Sequence, residues 1–168
     1  MQHILGFYRY NSNVRKKYLD AIERLPWEEI TRDRGASFPS IRDVFLHVLE
    51  AYRYWFEEVI GGALVTEHPP ENFEDVASMR EFEQEVDAMA MKVVENLREE
   101  DLSKVYTVQS TGIDDVENVQ ISMESILMHM IEEELQHRGE LNCLFWQQNI
   151  DPPVTGYGRW LRETRRRS

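Results

Sequence analysis

Between Met128 and Glu140, three side chains able to ligate a metal recur every fourth residue: His129, Glu133 and His137. Residues four apart on a helix lie one above the other, so these groups form a ladder along one face. With His137 as the reference direction, Met123, Ile126, Met130, Leu141 and Leu144 all fall within about 40° of it. His137 therefore points into the buried side. Glu133 lies about 40° to one side and His129 about 80° to that same side. Glu134 sits close to the stripe on the other side, so the wheel alone does not choose between the two glutamates. A carboxylate turned into an apolar core is costly unless it is paired or coordinating, which points to a cation.

A metal site needs donors from more than one element. His47 is the only other histidine in mid-helix; by itself it reads more simply as an interfacial residue satisfied by a hydrogen bond. Two imidazoles and one carboxylate suit Zn²⁺, Ni²⁺ or Fe²⁺, whereas Ca²⁺ prefers oxygen cages. The plainer reading is a hydrogen-bonded polar ladder in which Glu133 raises the pKa of a nearby histidine.

Four amphipathic segments would carry these groups. The first runs from Gln2 to Leu25, with Ile4, Phe7, Val14, Tyr18, Ile22 and Leu25 as its stripe, and Pro26 ends it. Asn11 breaks that stripe. A buried amide there either bonds a neighbouring helix or lines a polar pocket, and in the site it counts as pocket-lining. Thr31–Ala36 reads as a polar connection. The second helix spans Ser40 to Ile60, opened by Ser40 with Asp43 and stopped by Gly61-Gly62. A proline-containing linker, Glu67–Asn72, leaves His68 as an exposed loop residue.

The third helix runs from Ser78, with Glu81 as capping partner, to Glu99, and its acidic faces read as solvated surface. Val105–Val108 and Val119–Ile121 have strand character, with turn residues Ser110-Thr111-Gly112 and Asp114-Asp115 between them, giving a hairpin or an irregular crossover. The fourth helix covers Met123 to Gln148, and Asn149 with Asp151-Pro152-Pro153 terminates it. Tyr157, Trp160 and Leu161 are too apolar for a free tail and are expected to pack across the helices. The predicted fold is all-α: one domain over residues 1–168, a four-helix bundle with a short crossover before the last helix.

Composition narrows the function. The 168 residues carry a net charge of −12 and 42% hydrophobic residues, a globular balance that disfavours nucleic acid, whose phosphates call for excess Lys and Arg. The only basic cluster, Arg159, Arg162, Arg165, Arg166 and Arg167, reads as a solvated terminus. No stretch approaches the ~20 apolar residues of a membrane span. The single cysteine, Cys143, excludes an intrachain disulfide and reads as a half-buried thiol. With no signal-peptide pattern, the expected location is cytoplasmic.

Three stretches resemble the DinB/YfiT-like family of helical-bundle metalloenzymes. Tyr10-Asn11 is similar to that family's Tyr-Asn start. Ser37–Val48 resembles the segment bearing its first metal histidine, here His47, with Trp55 where an aromatic is usual. His129–Leu141, containing His137-Arg138-Gly139 and followed by Asp151-Pro152-Pro153, resembles its closing helix. The resemblance implies a metal site of His47, Glu133 and His137, and it favours Glu133 over Glu134. The family's usual residue at that position is histidine, so this chain replaces a three-histidine set by two histidines and a carboxylate, which is harder and one charge more negative. Glu140 stands where glutamine is common. His129, one turn further out, enters as a fourth ligand, a partner behind the ligands or a base at the pocket rim.

The resemblance implies a metal-dependent enzyme with a small-molecule substrate, in a range covering thiol-dependent transferases and isomerases, with hydrolysis also proposed. The alternative is a non-catalytic helical bundle with a structural or vestigial site. A homodimer is expected in either case. A third reading, DNA binding, is opposed by the acidic charge.

Overall fold

The structure, a computed structural model, describes residues 1–108 and 118–166. The turn residues expected between the strands, and Arg167, lie outside them. Among the described residues the chain is mostly helical, with six α-helices and a two-stranded sheet. The helices are α1 (Gln2–Ile22), α2 (Trp27–Thr31), α3 (Ile41–Arg53), α4 (Val76–Asn96), α5 (Met123–Trp146) and α6 (Tyr157–Arg165). Strand β1 (Val105–Val108) pairs antiparallel with β2 (Val119–Ser122), Val105 opposite Ser122. No helix among the described residues is long and apolar enough to cross a membrane.

Local chemistry sets most boundaries. Ser40 caps α3 as expected, its hydroxyl accepting the Asp43 amide. The helix does not continue in α form to Ile60: Tyr54–Ile60 is wound as a π-helix, a form that recurs near functional sites. Gly61 is required at its end, because a Cβ there would meet the Glu57 carbonyl oxygen at 2.5 Å. Gly62 follows with φ +72°, the left-handed region that favours glycine. Helix α4 starts earlier than Ser78, because Asp75 accepts the Ser78 amide and takes the cap. It ends at Asn96 instead of Glu99, and Glu99–Ser103 forms a separate 3₁₀ turn. Helix α1 ends at Ile22 instead of Leu25, and Pro26 takes the N-cap position of the short α2, an element outside the four predicted helices. Asn149, at φ 58°, closes the segment after α5.

Helices α1, α3, α4 and α5 share one apolar cluster that includes Leu19, Leu49, Met79 and Leu144. Tyr157 stacks on Phe7 at 4.4 Å, and Trp160 meets Tyr10 at 5.8 Å, so α6 packs on α1. Cys143 corrects the expectation for it, since it is exposed.

A charged centre lies inside these helices. Arg15, on the buried side of α1, donates through Nε to Glu83 at 3.3 Å and through Nη2 to Asp87 at 2.6 Å, and it pairs through Nη1 with Glu134. Its guanidinium also lies over the Tyr52 ring, 5.0 Å from the centroid. The Tyr52 hydroxyl donates to Glu134 at 2.8 Å. One cation thus joins α1, α3, α4 and α5. This corrects the view of α4 as solvated on its acidic faces, because Glu83 is fully buried. Burial pushes the Glu83 carboxyl up. Burial also works against the Asp87 carboxylate, yet Arg15, Ser12 and Lys16 hold it below its usual range.

Arg15→Met should destabilise the chain by about 3–5 kcal/mol in urea denaturation, since it strands buried carboxylates. A loss under about 1 kcal/mol would contradict this account. Because the folded pKa of Asp87 is lowered, its contribution is full above the usual aspartate range and is lost as pH falls through the depressed value. Asp87→Asn should therefore flatten the acid limb of the stability profile.

Candidate metal centre

Helix α3 supplies His47, and α5 supplies Glu133 and His137. Ligand atoms of the three lie within 4.8 Å of one another. Both imidazoles address a single oxygen: His47 Nε2 is 2.9 Å and His137 Nε2 3.0 Å from Glu133 Oε1. The group is graded in depth, since His137 is buried while Glu133 and His47 reach toward the surface. Phe38 covers it, stacking on His47 at 4.1 Å and meeting the His137 ring edge-on at 5.3 Å.

Glu134 belongs elsewhere. Next to Glu133 in sequence, it turns about 100° around the helix and enters the core, where Arg15 and Tyr52 satisfy it. The cation that the sequence demanded for a buried carboxylate is, for Glu134, a guanidinium. Sequence alone does not single out Arg15, because a basic residue on a helix is by default solvent-facing. Its one signal was its helical spacing to Tyr8, Leu19 and Ile22, at i−7, i+4 and i+7.

His129 does not join His47 and His137. It lies with Glu132 and Glu133 in a second group, and its ring packs edge-on against Trp55 at 5.3 Å. Asn11 is fully buried, and its Oδ1 accepts from Arg138 Nη2 at 3.0 Å. Arg138 also donates to the Tyr10 hydroxyl at 2.7 Å. The Tyr10-Asn11 pair and Arg138 therefore form one tie between α1 and α5. His68, expected as an exposed loop residue, instead has its Nδ1 2.9 Å from Glu50 Oε1 and 2.7 Å from Arg53 Nη1.

The donor set can be tested against a cation. Glu140 Oε2 stands 2.5 Å from His137 Nδ1, and a carboxylate only accepts, so Nδ1 carries the proton. In the neutral ring Nε2 then turns a lone pair toward Glu133 Oε1, itself an acceptor. A cation shared with His47 would resolve that contact. The Glu133 carboxylate is held below its usual range, first by the His47 hydrogen bond and against burial, with the charges of His137, His47 and His129 adding to it. Donors about 2.0–2.2 Å from a first-row metal in adjacent positions stand about 3 Å apart, so the observed spacing fits. The set is that of sites with open coordination positions.

The open side faces a cleft of about 440 Å³. His47, Glu133 and His129 reach it from α3 and α5, and the π-helix adds Tyr54, Trp55 and Glu58.

Comparison with known proteins agrees with this architecture. The model of the DinB family matches residues 1–167. Protein DinB of Bacillus subtilis (strain 168) is 24% identical over 166 residues, covering 94% of this chain and 93% of that protein. The crystal structure of a DinB-like protein from Bacillus cereus superposes with a TM-score of 0.70 at 15% identity, covering 93% of this chain and 97% of the other. That likeness concerns the fold.

If Glu140 sets the His137 tautomer, Glu140→Leu should weaken Zn²⁺ binding by about 10–100-fold in a chelator-competition titration. An affinity within about twofold of the wild type would remove that role.

Proposed function

The chain belongs to the DinB family, and from that premise we propose that it is a metal-dependent enzyme acting on a small molecule, with His47, Glu133 and His137 as ligands of Zn²⁺, Ni²⁺ or Fe²⁺. The observation that carries this reading is the convergence of two imidazole nitrogens from different helices on one carboxylate oxygen beside a cleft that His47 and Glu133 line. In this reading the four long helices form a four-helix bundle and one domain, with the site between α3 and α5.

A divalent cation held there supplies Lewis acidity toward an electrophile or an acidic nucleophile such as a thiol, the chemistry of a transferase or a hydrolase. The protein's own residues do the rest. Glu140 keeps the Nδ1 proton of His137 and fixes the ring orientation. Phe38 shields the rings of His47 and His137. His129 stands at the cleft wall, partly exposed, where it can accept or deliver a proton to a bound molecule. It is not needed as a fourth ligand, which leaves the cleft side open.

A second reading has its own observation: both imidazoles already stand at hydrogen-bond distance from Glu133, as a polar ladder would place them. On that reading the site is structural or vestigial in a non-catalytic dimer. Elemental analysis of untagged protein purified without added metal should find about one equivalent of transition metal. It should be lost in both His47→Ala and His137→Ala. A wild type that carries no metal and takes up no Zn²⁺, Ni²⁺ or Fe²⁺ would end the enzyme reading. A chelator-induced fall in Tm exceeding about 10 °C would favour the structural role, because metal that binds only the folded state adds directly to its stability.

A further inference from the structure

The cleft beside the candidate metal centre has a charge pattern that the metal reading does not use. Four carboxylates line it, from Glu50, Glu58, Glu67 and Glu133, and among the described residues no lysine or arginine does. Two of the four are already compensated. Glu133 is met by His47 and His137, and Glu50 by Arg53 and His68. Among the described residues the other two meet no basic side chain: Glu58 accepts there only the neutral Val65 amide, at 3.3 Å, and Glu67 has no cationic partner.

Beside these carboxylates the wall is aromatic. Tyr54 and Trp55 stand edge to face, with centroids 5.1 Å apart and planes at 73°. Burial and the nearby Glu58 carboxylate together push the Tyr54 hydroxyl up, which places that charge against the aromatic wall. Aromatic faces next to uncompensated carboxylates attract organic cations and repel anions. A divalent ion on Glu133 would still leave the lining net negative. The volume, about 440 Å³, suits a small molecule.

We propose that this cleft binds an organic ammonium: a cationic head placed between Glu58 and Glu67, carried on an apolar body that lies against Trp55 and Tyr54. The proposal deepens the reading of the cleft as a substrate site, and it excludes anionic molecules as preferred substrates. Inorganic cations would satisfy the carboxylates but would make no use of the aromatic wall.

Calorimetric titration of the full chain with phenethylammonium, 3-phenylpropionate and Mg²⁺ tests it, once after chelator treatment and once with one equivalent of Zn²⁺. Phenethylammonium should bind in both states, at least about tenfold more tightly than 3-phenylpropionate. Glu58→Gln and Glu67→Gln should each weaken it about threefold, and Trp55→Leu about fivefold. Equal binding of the two organic probes, binding of neither, or an ammonium affinity unmoved by Trp55→Leu would overturn the proposal. So would Mg²⁺ displacing phenethylammonium from a site indifferent to Trp55. The two readings fail separately: stoichiometric Zn²⁺ without ammonium preference sinks this one alone, and ammonium preference without metal uptake sinks the metal centre alone.

Discussion

The buried Arg15 guanidinium is the constraint on which the rest of the structure depends. It is one cation among three carboxylates brought from α4 and α5, with the Tyr52 ring of α3 against it. Burying a guanidinium is costly, and the geometry that offsets the cost is specific. It orients α1 toward α4 and fixes how α5 is rotated about its own axis. Once Glu134 is committed to Arg15, its neighbour Glu133 must leave the core at the next angle around the helix. The carboxylate available for a metal is thus selected by an ion pair on the other side of the same helix.

A second tie sharpens that rotation. Arg138 follows His137 in sequence but reaches across to Tyr10 and Asn11 on α1, with its guanidinium 5.0 Å from the Tyr10 ring centroid. Tyr10 in turn donates to the Thr155 carbonyl at 3.2 Å and receives Tyr157 and Trp160 against its ring. Residues of α5 that look toward α1 are therefore structural, and those that look toward α3 are left for chemistry. His137 sits at the boundary, held by Glu140 on one ring nitrogen and offering the other to Glu133.

The α3 side of the site has a different character. Its histidine is partly exposed, and the winding changes from α to π at Tyr54, two residues beyond Tyr52. This segment turns Tyr54, Trp55 and Glu58 into the cleft, while the chain after Gly62 is held back onto it by Arg53, Glu50 and His68. The rigid half of the site comes from buried ion pairs, and the half that would meet a substrate comes from the more exposed π-helix and loop. Such a division is usual where a scaffold holds reactive groups for a variable binding surface.

Much of this was legible in the residue order. The helical spans around His47 and His137 follow from apolar periodicity, the Ser40 cap from its spacing to Asp43, the strand character of Val105–Val108 and Val119–Ile121 from the β-branched runs, and the inward aim of His137 from its place among Met130, Leu141 and Leu144. Those features are local, set by 3.6-residue periodicity and hydrogen bonds within a few residues. What tertiary structure decided was the fate of polar groups whose partners lie far along the chain. Arg15 is 68 residues from Glu83 and 119 from Glu134, and no periodicity reports such a pairing. Asn11 reads either as a tie to a neighbouring helix or as a pocket residue until Arg138 is seen to claim it, and wheel geometry does not choose between Glu133 and Glu134 until Arg15 takes one of them. The sequence by itself determined the main helical spans and the apolar faces they bury. The folded structure alone decided which charges cancel inside the core and which remain free to act, because a buried charge is settled by the partner that meets it in space.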